Sequence, residues 1–151
     1  MEKLVLSILV NDGAGILARR GYSILSISAG PTEKKGLSRL TVVAQGEAQI
    51  FEQIEKQVKK LEDVIEVNIL NPEKSVLREL VMIKVKADHS KRQAISAVSD
   101  IFRAKIVDVS KESMTLEITG DSLKIDGLIE LLEEFEIMEI VRTGLSAIKR
   151  G

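Results

Sequence analysis

Apolar residues recur along this 151-residue chain in two rhythms, and the same series of rhythms runs twice. Alternation with period two marks a strand, and recurrence every three to four residues marks a helix. Leu4 to Val10 is almost wholly apolar, broken only by Ser7, and Asn11-Asp12-Gly13 stops it: a buried strand running into a turn. Ala14 to Arg20 reads as a short helix closed by Gly21, since glycine accepts the positive φ of a helix C′ position. Tyr22 to Ala29 is a second strand, with Ile24, Ser26 and Ser28 on one face and Leu25, Ile27 and Ala29 on the other. A turn cluster from Gly30-Pro31 to Gly36 leads into a third strand, Leu37 to Ala44.

Glu47 to Leu61 is the clearest helix. Ile50, Ile54, Val58 and Leu61 form one apolar stripe. Glu52–Lys56 and Glu55–Lys59 have the favourable acid-before-base order at i, i+4 on the wet side. Val64 to Leu70 is a fourth strand. Asn71-Pro72-Glu73-Lys74-Ser75 then reads as a linker, because proline restricts the residue before it and cannot donate to a ladder.

The series restarts there. Leu77 to Ala87 is a strand, and Ser90 is a candidate N-cap for a helix to Arg103 with Ala94, Ile95, Val98, Ile101 and Phe102 as its apolar face. Ile106 to Val109 is a strand. Met114, Leu116 and Ile118 alternate with Thr115, Glu117 and Thr119 in the next. Asp121 or Ser122 caps a helix carrying Leu123, Leu128, Leu131 and Leu132, and Glu139 to Ile148 closes as one strand. Each half is thus βαββαβ in about 70 residues, a size at which a small core gains from a shared interface. The fold class is α+β: two tandem ferredoxin-like units, residues 1–72 and 73–151, each a four-stranded antiparallel sheet with two helices on one face. The other sheet face is left bare, and an apolar bare face needs a partner, a ligand or a second copy.

Composition narrows the function classes. Net charge is −1 and aromatics are 3%, so neither a broad basic footprint nor stacking platforms for nucleic acid exist. With no cysteine, disulfides, thiolate nucleophiles and zinc–thiolate sites are excluded, which fits a cytoplasmic protein. The apolar N-terminal stretch is too short to span a bilayer and lacks a cleavage signal, so no membrane association is expected. His89 is the sole histidine and sits in a strand-to-helix turn, where a solvated role is the simpler reading. Glu130, Glu133, Glu134 and Glu136 read as a solvated helix end rather than a metal cage. No nucleophile elbow, Walker A loop or paired-carboxylate constellation is present. No catalytic residue, no metal site and no cofactor is expected in this chain.

Gly13-Ala14-Gly15-Ile16-Leu17-Ala18 satisfies the dinucleotide fingerprint in form, with Glu33 about 20 residues on. A Rossmann unit, however, needs a parallel crossover, and the short Gly/Pro loop after the second strand points to a hairpin. The physics of the turn stands without the nucleotide. A strand ending in Asn-Asp-Gly before a helix presents free N–H groups and a positive helix end, which suit a carboxylate. An amino acid fits there with its ammonium on the Asn11 side chain or a carbonyl. An ordinary capped turn is the plainer reading of the same residues.

Several stretches together carry a resemblance: Leu4–Asn11, Ala18-Arg19-Arg20-Gly21-Tyr22-Ser23-Ile24, Gly36-Leu37-Ser38-Arg39-Leu40-Thr41 and Gln53-Ile54-Glu55-Lys56-Gln57 in the first half. The second half adds Arg78-Glu79-Leu80, Ile101-Phe102-Arg103, Ile106-Val107-Asp108-Val109 and Arg142-Thr143-Gly144. The chain resembles, over nearly its whole length, the small regulatory subunits of acetohydroxyacid synthase (acetolactate synthase). The resemblance implies an N-terminal ACT domain, a homodimer with effector sites where two ACT sheets meet, and a branched-chain amino acid effector, valine first. It implies activation and feedback control of a separate catalytic subunit, which holds the thiamine diphosphate, magnesium and FAD. A free-standing ACT-type amino-acid sensor is the alternative. By the same resemblance the effector residues are Asn11, Asp12, Gly13, Ala14, Ser23 and Ile24, with Ser23 standing where many members have asparagine. The chain departs from the family between Asp12 and Leu17, where it is shorter by about six residues, more than one helical turn. Either the sensing loop is shortened or part of it is missing from this chain.

Overall fold

The computed structural model describes residues 2–11 and 23–151; the helix expected over Ala14–Arg20 lies outside them. Two compact units emerge: Met1–Leu77 together with Gly144–Gly151, and Arg78–Thr143. The boundary at Leu77 falls inside a strand, and the last eight residues join the first unit, whereas the residue pattern suggested a break at 72 and an unbroken second half.

The first unit contains β1 (Glu2–Asn11), β2 (Ser23–Pro31), β3 (Leu37–Gly46), α1 (Ala48–Lys59) and β4 (Val64–Leu70). Its strands lie in the order β2-β3-β1-β4, each pair antiparallel. Leu4, Leu6, Ile8 and Val10 of β1, with Leu40, Val42 and Ala44 of β3 and Val67 of β4, form a dry layer against Phe51 and Ile54 of α1. Phe51, rather than Ile50, anchors the helix, since Ile50 stays partly exposed. The period-two reading of β2 fails at Leu25. A bulge between Ile24 and Ser26 resets the register, so Ile24 and Ile27 share the helix side and Leu25 turns outward, 47% exposed. One extra residue in one strand shifts every later side chain to the other face.

The second unit contains α2 (Arg92–Phe102), β6 (Lys105–Val109), β7 (Ser113–Gly120), α3 (Ser122–Leu132) and β8 (Ile137–Arg142), with most of β5 (Ser75–Lys86). The order β6-β7-β5-β8 repeats the first unit's arrangement. Val81, Ile83, Val85, Leu116 and Ile118 face Ile95, Ile125, Leu128 and Leu132, and all of these are fully or almost fully buried. Asp121 caps α3 through the Lys124 N–H at 3.0 Å, worth about 1 kcal/mol. Ser90 does not cap α2 as expected. Asp88 Oδ1 accepts the Ser90 N–H, and a short 3-10 turn, His89–Lys91, precedes the helix. Among the expected apolar faces, Ile101 and Leu123 point outward, at 73% and 86% exposure.

The final strand expected over Glu139–Ile148 is two strands, because Gly144 interrupts it with φ +87°. β9 (Ser146–Lys149) pairs with β5 and lies against β1 and β4. Leu145 joins Val5, Val43 and Leu70 in a second cluster, with Leu77 and Ala147 beside it. The first sheet's face away from α1 is therefore not bare.

Candidate functional site

The expected effector residues sit at the strand ends of the first unit. Asn11 is the exposed last residue of β1, its backbone N–H donating to the Asp63 carbonyl at 3.0 Å. Asp12, Gly13 and Ala14 lie outside the described residues. Ser23 opens β2. Ile24 is half-buried and packs on the helix-side core, so its side chain supports the strand start from beneath.

The register decides what these residues can do together. Asn11 stands opposite Leu37 and Ser23 stands opposite Gln45, both on β3. Eight positions of strand separate them, roughly 27 Å. β1 and β2 both run antiparallel to β3, so they are parallel to each other, and Asn11 and Ser23 lie at opposite ends of the sheet. Asn11 and the Ser23–Ile24 strand start of one chain therefore cannot hold one amino acid between them. The same topology removes the dinucleotide reading: the first sheet is antiparallel at each pairing, and Glu33 lies in an exposed β2–β3 turn. In that turn the Thr32 hydroxyl accepts the Lys34 N–H at 3.1 Å.

Arg78-Glu79-Leu80 and Arg142-Thr143 meet inside the second unit. Arg142 Nε and Nη2 both donate to Glu79 Oε1, at 3.0 and 2.6 Å, and Glu79 is 8% exposed. Next to them the Thr143 hydroxyl accepts the Leu80 N–H at 3.1 Å and the Thr143 N–H donates to the Leu80 carbonyl at 3.0 Å. The pairing of Glu79-Leu80 with Arg142-Thr143 fixes the end of the second sheet rather than a reactive centre. The opposite charges in those two stretches were the sequence signal for it.

His89 is exposed in its turn, and Glu130, Glu133, Glu134 and Glu136 are exposed. Among the described residues no group of three or more His, Asp or Glu side chains is placed to hold a metal. Among the same residues no helix is long and apolar enough to cross a membrane.

Comparison with known proteins resolves the assignment. Residues 6–66 match the model described as the AHAS small subunit-like ACT domain, and residues 78–151 match the model described as the small subunit of acetolactate synthase. A probable acetolactate synthase small subunit from Methanothermobacter thermautotrophicus is 48% identical over 91% of this chain and 83% of its own length. The chain belongs to the acetolactate synthase small-subunit family. An acetolactate synthase small subunit from Mycolicibacterium smegmatis is 44% identical over 97% of this chain and 90% of its own. The crystal structure of the acetolactate synthase small subunit from Thermotoga maritima superposes with a TM-score of 0.89 at 40% identity, covering 100% of this chain and 99% of that one. This chain is thus a subunit of a synthase and not its catalytic chain, and its first unit is an ACT domain. The second family match begins at Arg78, where the second compact unit begins, and extends through the residues that return to the first unit. The alignment with a probable small subunit from Archaeoglobus fulgidus spans 156 positions, against 151 residues here, so at least five of its positions have no counterpart in this chain.

Proposed function

We propose that this chain activates the catalytic subunit of acetolactate synthase and makes it sensitive to feedback by valine or a related branched-chain amino acid. The catalytic partner holds thiamine diphosphate, magnesium and FAD, and this chain works in the cytoplasm as a homodimer. The observation that carries the reading is the match of both units, across nearly the whole chain, to small subunits of that synthase. The register supports the dimer. Asn11 and the Ser23–Ile24 strand start lie at opposite ends of one sheet, so a site using both needs two chains, Asn11 of one facing the strand start of the other.

Such a site has a chemical logic. Backbone N–H groups of the Asn11–Ala14 turn take the effector carboxylate, and the Asn11 amide takes the ammonium. An effector that binds one dimer geometry better than another shifts the partner enzyme by its differential affinity and no more. Calorimetry on the intact chain tests the site. Valine, leucine or isoleucine should bind, and Asn11→Ala should weaken binding and relieve inhibition in the reconstituted holoenzyme. If none of the three amino acids binds and Asn11→Ala leaves inhibition unchanged, the site assignment fails. Capture of a thiamine-dependent synthase chain by this subunit tests the partnership separately.

A further inference from the structure

The face of the first sheet turned away from α1 holds more than the apolar cluster. Register places Ser28, Thr41, Ser7 and Asn68 in one polar row across all four strands. Ser7 and Thr41 are buried, at 4% and 5% exposure. A polar row inside a covered face costs desolvation unless each group finds a partner. Arg39 answers part of that demand by donating from Nη1 to Ser7 Oγ at 2.6 Å.

Around this pair lies a cavity of about 500 Å³ within the first unit. That is the size of a small-ligand pocket. Arg39, Lys74 and Lys149 line it, together with Ser7, Asn68 and Ser75, and Glu33 is its acidic lining residue. Among the described residues, none of the three cations has a carboxylate within ion-pair distance. Ser75 is 3% exposed and its hydroxyl has no hydrogen-bond partner. A buried hydroxyl left unpaired is a cost that a ligand oxygen would remove. Three cations against one carboxylate select for negative charge, and a guanidinium steadied by a serine is preorganised for an oxyanion.

We propose that this cavity is a binding site for a small metabolite carrying at least two oxyanion groups, phosphate or carboxylate. Arg39, Lys74 and Lys149 supply the charge, and Ser75, Ser7 and Asn68 supply the hydrogen bonds. None of these residues belongs to the expected effector set, so the site does not depend on the feedback reading.

Calorimetry on the full chain at low salt, with pyrophosphate and citrate as separate probes, is the test. At least one should bind with a Kd of about 1 mM or tighter. Pyrophosphate alone would assign phosphate, citrate alone would assign carboxylate, and both would assign oxyanions in general. Lys149→Gln, at an exposed residue, and Ser75→Ala, which removes only a hydroxyl that bonds nothing in the protein, should each weaken binding by about tenfold. Lys56→Gln on the wet face of α1 controls for general charge and should leave it unchanged. Absence of binding for both probes overturns the proposal. So does binding that Lys149→Gln and Ser75→Ala leave intact, or that Lys56→Gln weakens equally.

Discussion

The two units share one topology and differ in what lies on the far side of the sheet. In the second unit the face away from the helices carries Lys105, Glu117, Met82 and Val141 in one row, and Asp108, Thr115, Lys84 and Glu139 in the next. Lys84 and Glu139 sit 3.9 Å apart and exposed, a pair worth little to stability but easily wetted. In the first unit the equivalent face carries Val5, Val43 and Leu70, all buried, and the residues after Gly144 supply the cover. One fold thus tolerates a solvated face or demands a covered one, and the choice is made by every second residue of the central strands. The difference shows in the strands themselves. β5 alternates Val81, Ile83 and Val85 with Met82, Lys84 and Lys86, the mark of one buried face. β1 is apolar nearly throughout, the mark of two.

Substitutions can sharpen this contrast. The largest effect belongs to the helix-side core. Leu128→Ala should cost about 3–4 kcal/mol and unfold the second unit first, read by denaturant melts with hydrogen exchange resolved by unit. Next comes the cover. Leu145→Ala should cost about 2–3 kcal/mol, and exchange protection should fall in β1 and β3 while the second unit keeps its own. Equal loss in both units would break the contrast. Arg142→Gln strands a buried Glu79 carboxylate and should cost about 2 kcal/mol at neutral pH, confined to the second unit. Gly144→Ala is smaller, at about 1–2 kcal/mol. Its φ is +87° and an added Cβ would stand 3.1 Å from the Ile27 carbonyl, so the loss should appear in thermal melts as a weakened cover.

The smallest effect is electrostatic and exposed. The Ser90 hydroxyl bond, followed by the Ser90 and Lys91 N–H groups, holds the Asp88 carboxyl below the ordinary aspartate range. A depressed carboxylate contributes above its unfolded value and loses that contribution as pH falls through the folded one. The turn before α2 should therefore loosen only in acid below the usual aspartate titration. A carboxyl NMR titration should find the Asp88 midpoint low, and Ser90→Ala should raise it.

Much of this molecule is legible in its sequence, because local rhythm carries it. Ile54 on α1, Ile95 on α2 and Leu128 on α3 fall on helical stripes, and the strands around them alternate. What escaped is set at long range. Glu139 to Ile148 alternates well enough to pass for one strand, and only the packing of Leu145 on Val5 and Val43 explains why Gly144 must turn the chain. The Leu25 bulge has no composition signal. Of the expected effector residues, Asn11, Ser23 and Ile24 stand at predicted strand ends, yet their separation along β3 is a fact of register that no single segment encodes. The polar row of Ser28, Thr41, Ser7 and Asn68 joins four segments distant in sequence and becomes a row only when the strands pair.

The most direct test of the account is synthase activity. The catalytic subunit should be assayed alone and with this chain, each across a valine titration. The account predicts higher activity with the chain present and inhibition by valine that appears only then, lost on Asn11→Ala while the activation persists. Unchanged activity on adding the chain, at concentrations where the two subunits associate, would contradict it.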